Sequence, residues 1–348
     1  MILLTNCMAG PDDEGGIKVA RKLLTGIRQK YPEAELYTYD ADYPQSDGHM
    51  KLNKLMLNLR LAKLLHKSKE NLLYAPQFAR MLPMSIRVFV LSLYVQGRVN
   101  VLLPMCFPPG KIARTLLKLS DARLFVLSRD SWEMMRKETK NEIHYIRAGV
   151  DMKRFHPVDE ERKNLLRQKY GFLSKQRIVL HVGHLTTGRN VGTMLRLSEQ
   201  YQAVIVTSTQ TRSSWDGELV KQMQSDRTSL RLIDQYLPNI EEIYQLSDVY
   251  FFPVLMAGRC IDSPLSVFEA AACDLPIVTT AFGEVKQLVG KEGIYILDSM
   301  DEKYVDAVLE KAIQHKKGAR QSVIEYDWQF AIAQILELIG GGYNERYS

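Results

Sequence analysis

The chain has 348 residues, of which 46% are hydrophobic and 25% are charged, and its formal net charge is +6. This length suits two domains, and this apolar content is enough for packed cores, so the composition argues against a disordered protein. The longest apolar stretch, residues 84–95, contains Arg87 and is shorter than the roughly 20 residues of a membrane span, which argues against a transmembrane protein.

The cysteines and the first residues bear on the compartment. Four cysteines, Cys7, Cys106, Cys260 and Cys273, are scattered without a Cys-x-x-Cys pair, which favours reduced thiols. Residues 1–10 lack the basic lead of a signal peptide and are typical of a buried first strand. We therefore expect a cytoplasmic protein.

Charge is distributed unevenly along the chain. Residues 1–150 contain 23 Lys and Arg against 14 Asp and Glu, whereas the remainder contains 23 against 26. A basic first half indicates an anionic partner such as a membrane surface, a nucleic acid or a phosphorylated substrate. Ordinary variation between domains is the alternative interpretation.

Strand-like and helix-like segments alternate along the chain, which is typical of parallel sheets covered by helices. The first half predicts a helix over 17–31 and strands at 2–6, 35–40, 71–75, 99–103 and 122–128. After a junction at 146–172, the second half predicts strands at 177–183, 203–208, 229–234, 248–254 and 276–280. Its predicted helices lie near 190–200, 213–225, 239–247 and 265–273.

A last amphipathic helix is predicted over 327–339, with Asp327 as its N-cap and Gly340 as its stop. The whole pattern predicts an α/β fold of two doubly wound, Rossmann-like domains. Their predicted bounds are 1–150 and 151–326, and the last helix and tail, 327–348, are expected to cross back to the first domain.

Residues 261–284 (IDSPLSVFEAAACDLPIVTTAFGE) place one carboxylate, Glu269, inside an apolar helix. Ser263 can cap this helix and Pro264 suits its first turn. The helix begins at the carboxyl end of a parallel strand, where open α/β sheets bind ligands. Glu269 could there accept hydrogen bonds from a ribose diol, or it could cap or pair locally.

Two further groups of residues suit a phosphate ligand. The free N–H groups at Leu265 and Ser266, in the first turn of that helix, would face a bound phosphate. The loop within residues 181–195 presents His184 and Arg189, and a cationic pair of this kind suits a diphosphate. A solvated loop arginine is the alternative.

Four segments together resemble the nucleotide-binding domain of the family 4 glycosyltransferases, which are retaining enzymes of the GT-B fold. In chain order they are IRAGVDMKRFHP (146–157), VGHLTTGRNV (182–191), LIDQYLPNIEEIYQLSDVYFFPV (232–254) and DSPLSVFEAAACDLPIVTT (262–280). The first half is similar to the family only loosely, through ILLTN followed by Gly15 and Gly16, and through Ser128 opening a helix.

The resemblance implies two Rossmann-like domains facing a central cleft that holds a UDP-sugar or GDP-sugar, with no metal or other cofactor. It implies that Glu269 holds the ribose, that backbone near Tyr236 contacts the base, and that positive groups stabilise the leaving phosphate. The residues it assigns to catalysis are Arg189, His184 and Glu269. The residues it assigns to donor binding are Gly16, Tyr236, Asp262, Leu265, Ser266 and Glu269.

Three departures from the family pattern leave alternatives open. The first glutamate of the family falls on Ile261, with Asp262 beside it, and His184 stands where the family has arginine. Arg189 replaces a lysine. A non-catalytic partner subunit and a nucleotide-sugar epimerase on the same fold are therefore alternatives to a transferase.

Two other site types are disfavoured by the sequence. No Gly-x-Gly-x-x-Gly motif occurs, which argues against a dinucleotide-dependent dehydrogenase. Asp40 and Asp42 form an Asp-x-Asp pair, but the pair follows an early strand in the predicted acceptor half, so we do not expect a metal there.

Residues 49–70 are predicted to form a basic amphipathic helix that contacts an anionic membrane surface. Its basic residues are Lys51, Lys54, Arg60, Lys63, Lys67 and Lys69, and its apolar positions include Leu52, Leu55, Leu59 and Ala62. A core-packed helix with a solvated face is the alternative. Membrane contact would suit a glycan or lipid-linked acceptor, whereas a nucleic acid is not expected because no aromatic-interleaved basic patch occurs.

Overall fold

A computed structural model of the chain gives the fold. It describes every residue except 7, 9–13, 40–42, 51–57, 77–79, 208–216, 226–228, 256–259, 316–317 and 341–348. The chain divides into two compact units. Unit 1 comprises Met1–Ala148, Ile261–Ser263 and Trp328–Ser348, and unit 2 comprises Gly149–Cys260 and Pro264–Asp327.

Unit 1 contains a parallel sheet covered by helices. Its strands are β1 (Ile2–Thr5), β2 (Glu35–Thr38), β3 (Gly48–His49), β4 (Leu72–Ala75), β5 (Val99–Leu103), β6 (Arg123–Val126) and β7 (Ile143–Tyr145). The helices between them are α1 (Gly15–Lys30), α2 (Leu59–Ser68), α3 (Met81–Ser92), α4 (Lys111–Ser120) and α5 (Arg129–Glu138). The strand order is β3-β2-β1-β4-β5-β6-β7, so the direction of winding reverses between β1 and β4.

Unit 2 repeats this architecture. Its strands are β8 (Arg177–Val182), β9 (Tyr201–Val206), β10 (Leu230–Ile233), β11 (Val249–Phe252), β12 (Ile277–Thr279) and β13 (Ile294–Ile296), in the order β10-β9-β8-β11-β12-β13. Its helices are α6 (Glu160–Lys169), α7 (Gly217–Ser225), α8 (Glu241–Leu246), α9 (Leu265–Ala272) and α10 (Glu302–His315). The paired strands of both sheets are parallel, and their central strands are apolar because helices cover both faces.

The last helix, α11 (Trp328–Gly340), belongs to unit 1 and packs against α1. Gly26 permits this packing, because a Cβ placed there would lie 2.1 Å from Cδ1 of Ile332. The amide of Asn71 also donates to the carbonyl of Ile339 at 3.0 Å. In unit 2, the carboxylate of Asp327 accepts a hydrogen bond from the backbone N–H of Met152 at 3.1 Å.

Several sequence predictions about individual elements are wrong. The predicted helix near 190–200 is replaced by two short 3-10 helices, Thr187–Arg189 and Val191–Leu195, separated by Asn190 at a φ of 55°. A residue in the left-handed region of backbone conformation cannot continue a right-handed α-helix, so Asn190 prevents a single helix over this segment. The strands β3, β7 and β13, which the sequence did not predict, are short and lie at the sheet edges.

The predicted basic helix over 49–70 is also shorter than expected. His49 belongs to β3, and α2 begins only at Leu59, after the side chain of Asn58 caps its first N–H groups. Residues 51–57, with Lys51 and Lys54, lie outside the described part of the chain.

The face that α2 buries also differs from the prediction. The helix buries Leu61 and Leu65, whereas the predicted apolar position Leu59 is 82% exposed. The described part of this segment is therefore a core-packed helix that exposes Arg60, Lys63 and Lys67.

The cysteines of the described residues form no disulfide bond. Cys106, Cys260 and Cys273 are reduced thiols, and Cys7 lies outside the described residues, as does the Asp40–Asp42 pair. None of the helices in the described ranges has the length and apolar character needed to span a membrane.

Candidate functional site

The candidate site lies at the carboxyl ends of β8 and β11 in unit 2. These two strands are neighbours, and the winding of the sheet reverses between them. Loops that follow such a pair of strands diverge and leave a crevice, which is where open α/β sheets bind ligands. The loop after β8 carries His184 and Arg189, and the loop after β11 leads into α9.

Glu269 is a buried carboxylate on α9, with 4% of its surface exposed. Its Oε2 accepts a hydrogen bond of 3.0 Å from the hydroxyl of Tyr244 on α8. Burial, and then the neighbouring Glu269 charge, raise the pKa of Tyr244 well above its usual value, so this hydroxyl keeps its proton and remains a donor. An ionised carboxylate offers about four acceptor positions, so a carboxylate in this place can accept more than one hydrogen bond.

The start of α9 differs in one respect from the sequence prediction. Pro264 occupies the N-cap position, and Ser263 does not cap the helix; its hydroxyl donates to the carbonyl of Ala148 in unit 1 at 2.9 Å. The N–H of Val267 closes a turn on the carbonyl of Pro264 at 3.0 Å. The N–H groups of Leu265 and Ser266 lie within that turn, at the positive end of the helix dipole.

Tyr250 ties the start of α9 to the end of β8. Its hydroxyl donates to the carbonyl of Val182 at 3.2 Å and hydrogen-bonds the side chain of Ser266. Burial raises the pKa of Tyr250, so this group also stays protonated. The structure thus brings Ser266 next to the loop that follows Val182.

Arg189 folds back towards the end of β8. A Cβ placed on Gly183 would lie 2.8 Å from Nη1 of Arg189 and 3.0 Å from Nε2 of His181, so the glycine leaves room for both groups. Arg189 is half-buried, and so is His184. The structure therefore brings together the two predicted cationic residues and adds His181 to them.

His184 does not carry a charge at neutral pH in the free protein. Burial, and then the charge of Arg189 and the nearby His181, lower the pKa of His184 from 6.5 to about 3. A second positive charge beside Arg189 is unfavourable until an anion compensates it. In the unliganded protein, Arg189 is therefore the charged member of the predicted cationic pair.

Three further predicted donor-binding residues belong to other parts of the fold. Gly16 and Asp262 belong to unit 1, where Gly16 is buried in the first turn of α1. Tyr236 is 43% exposed and lies in the loop after β10, which β9 separates from β8.

Asp262 is already engaged within unit 1. Its Oδ2 accepts a hydrogen bond from the hydroxyl of Ser131 at 2.5 Å and another from the backbone N–H of Cys106 at 3.1 Å. Its own N–H donates to the carbonyl of Pro104 at 3.2 Å. The neighbouring side chain of Ile261 packs beside Gly15, 3.0 Å from the point that a Cβ there would occupy.

The sequence analysis missed three residues of the site, Tyr244, Tyr250 and His181. Each lies in a run that predicts a buried strand or helix, and buried aromatic or histidine side chains are usually part of a core. Their hydrogen-bond partners come from other elements of the chain. Within the described residues, no group of three or more His, Cys, Asp or Glu side chains is arranged to hold a metal ion.

The part of the chain that carries this site is similar in sequence to known proteins. Residues 176–312 match the family model described as Glycosyl transferases group 1. The chain is also similar to the mannosylfructose-phosphate synthase of Agrobacterium fabrum (strain C58 / ATCC 33970), with 22% identity over 226 residues. This match covers 58% of the chain and 48% of that protein, so the chain spans about half the length of the curated relative it matches.

Solved structures match almost the whole chain. A glycosyltransferase from Rickettsia africae ESF-5 has a TM-score of 0.75 at 14% identity, with 98% of this chain and 97% of that chain covered. Anabaena Alr3699/HepE in complex with UDP-glucose has a TM-score of 0.76 at 13% identity, with 98% and 99% covered. The chain has the GT-B fold. The predicted fold class, α/β with two Rossmann-like doubly wound domains, is confirmed.

Proposed function

We propose that the protein is a glycosyltransferase that moves a sugar from a nucleotide-diphosphate donor to a glycan or lipid-linked acceptor, with retention of the anomeric configuration. The observation that carries this proposal is the buried carboxylate of Glu269, which accepts a hydrogen bond from Tyr244. Glu269 lies on α9, and this helix starts beside the loop that carries Arg189. The similarity of residues 176–312 to group 1 glycosyltransferases supports it. The relative that binds UDP-glucose supports a UDP-linked donor, and GDP-linked donors are the alternative.

In this proposal, each group has a role set by its chemistry. Glu269 accepts hydrogen bonds from the ribose hydroxyls, and the base contacts backbone near Tyr236. The guanidinium of Arg189 and the N–H groups of Leu265 and Ser266 bind the diphosphate. Because negative charge grows on the phosphate as the anomeric bond breaks, these preorganised positive groups lower the barrier.

His184 becomes useful only when the donor is bound. A phosphate next to His184 raises its pKa, so the ring can take up a proton and add a second charge to the leaving group. The leaving phosphate itself can accept the proton of the incoming hydroxyl, so the reaction requires no enzyme nucleophile. No step requires a metal ion in this proposal.

A non-catalytic partner subunit is the second candidate, and the engagement of Asp262 favours it. Asp262 is the acid beside Ile261, and its Oδ2 is bonded to Ser131 and Cys106, which makes it less available to replace the first glutamate of the family. Slow hydrolysis of a nucleotide sugar by the purified protein would favour the enzyme, and its absence would favour the subunit. A product formed without any acceptor would indicate the epimerase.

Calorimetry with UDP, GDP and ADP tests the proposal. We expect at least one of them to bind with a dissociation constant below 1 mM, which corresponds to about −4.1 kcal/mol or stronger. If none binds in that range, the transferase proposal fails. With a donor identified, the anomeric configuration of the transferred sugar, read by NMR, decides whether the reaction retains or inverts.

We also propose that the protein is cytoplasmic and binds the inner membrane surface through residues 49–70. The support is the uneven charge of the chain and the exposed Arg60, Lys63 and Lys67 of α2.

A further inference from the structure

His181 is a fully buried histidine with an unpaired ring nitrogen. It is the fifth residue of β8, and none of its surface is exposed. Its Nε2 has no hydrogen-bond partner in the described part of the chain. Because buried polar atoms are nearly always paired, a nitrogen in this position needs an explanation beyond packing.

The ring of His181 is held in one orientation and one tautomer. Its Nδ1 lies 2.9 Å from the carbonyl oxygen of Phe251 on β11, and a carbonyl can only accept, so Nδ1 carries the proton. The ring also stacks on Phe252, with centroids 6.1 Å apart and planes 16° from parallel. Nε2 is therefore an acceptor in a fixed place.

That acceptor and the Arg189 guanidinium converge on the same space. Nε2 of His181 and Nη1 of Arg189 lie 3.0 and 2.8 Å from the point that a Cβ on Gly183 would occupy. The missing side chain of Gly183 leaves this space open. A guanidinium N–H and an imidazole lone pair are complementary, and since the structure shows no direct bond to Nε2 among the described residues, one water in this space can bridge them.

We propose that His181 is a positioning residue that orients the Arg189 guanidinium towards the diphosphate through its Nε2 lone pair. This inference rests on the proposed function, since it assumes that Arg189 binds a nucleoside diphosphate. A neutral partner is suited to this task. A carboxylate would hold the arginine but neutralise it, whereas an uncharged imidazole fixes its direction and leaves the positive charge for the ligand.

The low pKa of His181 agrees with this arrangement. Burial is the largest cause and the charge of Arg189 adds to it, while the bond to the Phe251 carbonyl acts in the opposite direction. The result is a pKa of about 4, compared with the usual 6.5. The other titratable ring near this group, His184, is also neutral, so Arg189 supplies the positive charge that acts on His181.

The test compares UDP with uridine in variants of His181. Asn at position 181 can still donate to the Phe251 carbonyl but is too short to reach the place of Nε2, whereas Gln can put an amide oxygen there. We expect H181N to weaken UDP binding about tenfold, or about 1.4 kcal/mol, and to leave uridine binding unchanged, because uridine has no diphosphate. We expect H181Q to bind UDP within about threefold of the wild type, or about 0.7 kcal/mol.

A double-mutant cycle with R189A makes the test specific. If His181 acts through Arg189, H181N changes UDP affinity in the wild-type background and has no further effect in the R189A background. Equal losses in both backgrounds, or equal losses for UDP and uridine, would show that His181 only supports the local fold. Unchanged UDP binding by a folded H181N would also overturn the inference.

A second variant, G183A, changes the loop beside the same contact and leaves the side chains of the core unchanged. Its added Cβ would occupy the space between the two nitrogens, so we expect a UDP-specific loss similar to that of H181N. This variant decides the question if H181N does not fold, and wild-type UDP affinity in G183A would overturn the inference. Failure of the wild-type protein to bind any nucleoside diphosphate would instead count against the proposed function.

Discussion

At the scale of single residues, the buried pair of Glu269 and Tyr244 is the central feature of the candidate site. A buried carboxylate is stable only when it is hydrogen-bonded, and Tyr244 supplies one such bond. Unit 2 contains a second pair of the same kind. The fully buried Glu284 accepts a hydrogen bond of 2.6 Å from the hydroxyl of Tyr326, and the proposed function gives this pair no role in donor binding.

These two pairs allow a matched prediction. We expect E269Q to weaken UDP binding by about 10- to 150-fold, because a lost hydrogen bond to a charged group costs about 1.5–3 kcal/mol. We expect E284Q to bind UDP like the wild type, although it can lower the melting temperature. Calorimetry on both variants checks this, and equal affinities for folded E269Q and wild type would remove Glu269 from the site.

The buried His181 predicts a pH dependence of stability. His181 has a pKa of about 4 in the folded protein and about 6.5 when unfolded, so the unfolded chain binds the extra proton between these values. Stability contributed by neutral His181 is therefore complete above pH 6.5 and is lost as the pH falls towards 4. The loss is about 1.4 kcal/mol for each pH unit within that window.

Urea unfolding of the wild type and of H181F measures this effect. Phenylalanine keeps a ring against Phe252 but does not titrate, so the comparison isolates the titration of His181 together with its effect on the pKa of His184. We expect the free energy of unfolding of the wild type to fall more steeply than that of H181F between pH 6.5 and pH 4. Parallel curves would mean that His181 does not have the lowered pKa.

At the scale of elements, the contact between α1 and α11 depends on one glycine. The methyl group that G26A adds would overlap Cδ1 of Ile332, and Cγ1 of the same side chain would lie at 3.2 Å. Overpacking of this kind costs about 1–3 kcal/mol, and the gain of about 1 kcal/mol that alanine brings to a helix offsets part of that cost. We expect G26A to lower the free energy of unfolding by up to about 2 kcal/mol.

The control for this prediction is G340A in α11. A Cβ on Gly340 would meet no atom of the described residues within 4 Å, so its cost should be near zero. Both variants are compared by urea denaturation followed by circular dichroism. A G26A protein as stable as G340A would show that Ile332 can move aside without loss.

At the scale of the whole molecule, the division of charge predicts where an anionic surface binds. Each basic residue near such a surface contributes about 1 kcal/mol, and salt screens this attraction beyond roughly 10 Å. We expect the protein to pellet with vesicles that contain anionic lipid and to be released by salt. Replacing Arg60, Lys63 and Lys67 of α2 by glutamine should weaken this binding and leave UDP affinity unchanged.

A charge-matched variant in unit 2 serves as the control. Lys291, Lys303 and Lys311 are exposed there, and their replacement by glutamine changes the net charge equally. We expect this control to pellet like the wild type. Equal binding to neutral and anionic vesicles, or equal effects of both triple variants, would leave α2 as an ordinary solvated helix.

Much of the fold follows from the sequence alone. The central strands of both sheets are apolar because helices cover both faces, so runs such as VNVLL at 99–103 identify them without tertiary information. Edge strands such as β3, β7 and β13 lack a fully buried run, which is why local pattern did not reveal them. The sequence also proposed Glu269 and the His184–Arg189 loop as candidate site residues, since strand-to-helix loops mark the carboxyl edge of the sheet.

Only the tertiary structure decided what these side chains contact. Nothing near Asp262 in the sequence indicates that its carboxylate is bonded to Ser131 and Cys106, or that Ser263 bonds to Ala148 rather than capping α9. The same holds for His181, whose bond to Phe251 spans 70 residues. Local sequence determines the hydrophobic periodicity of an element and which of its faces is buried. A hydrogen bond between distant residues forms only where the packing of the sheet brings those parts of the chain together.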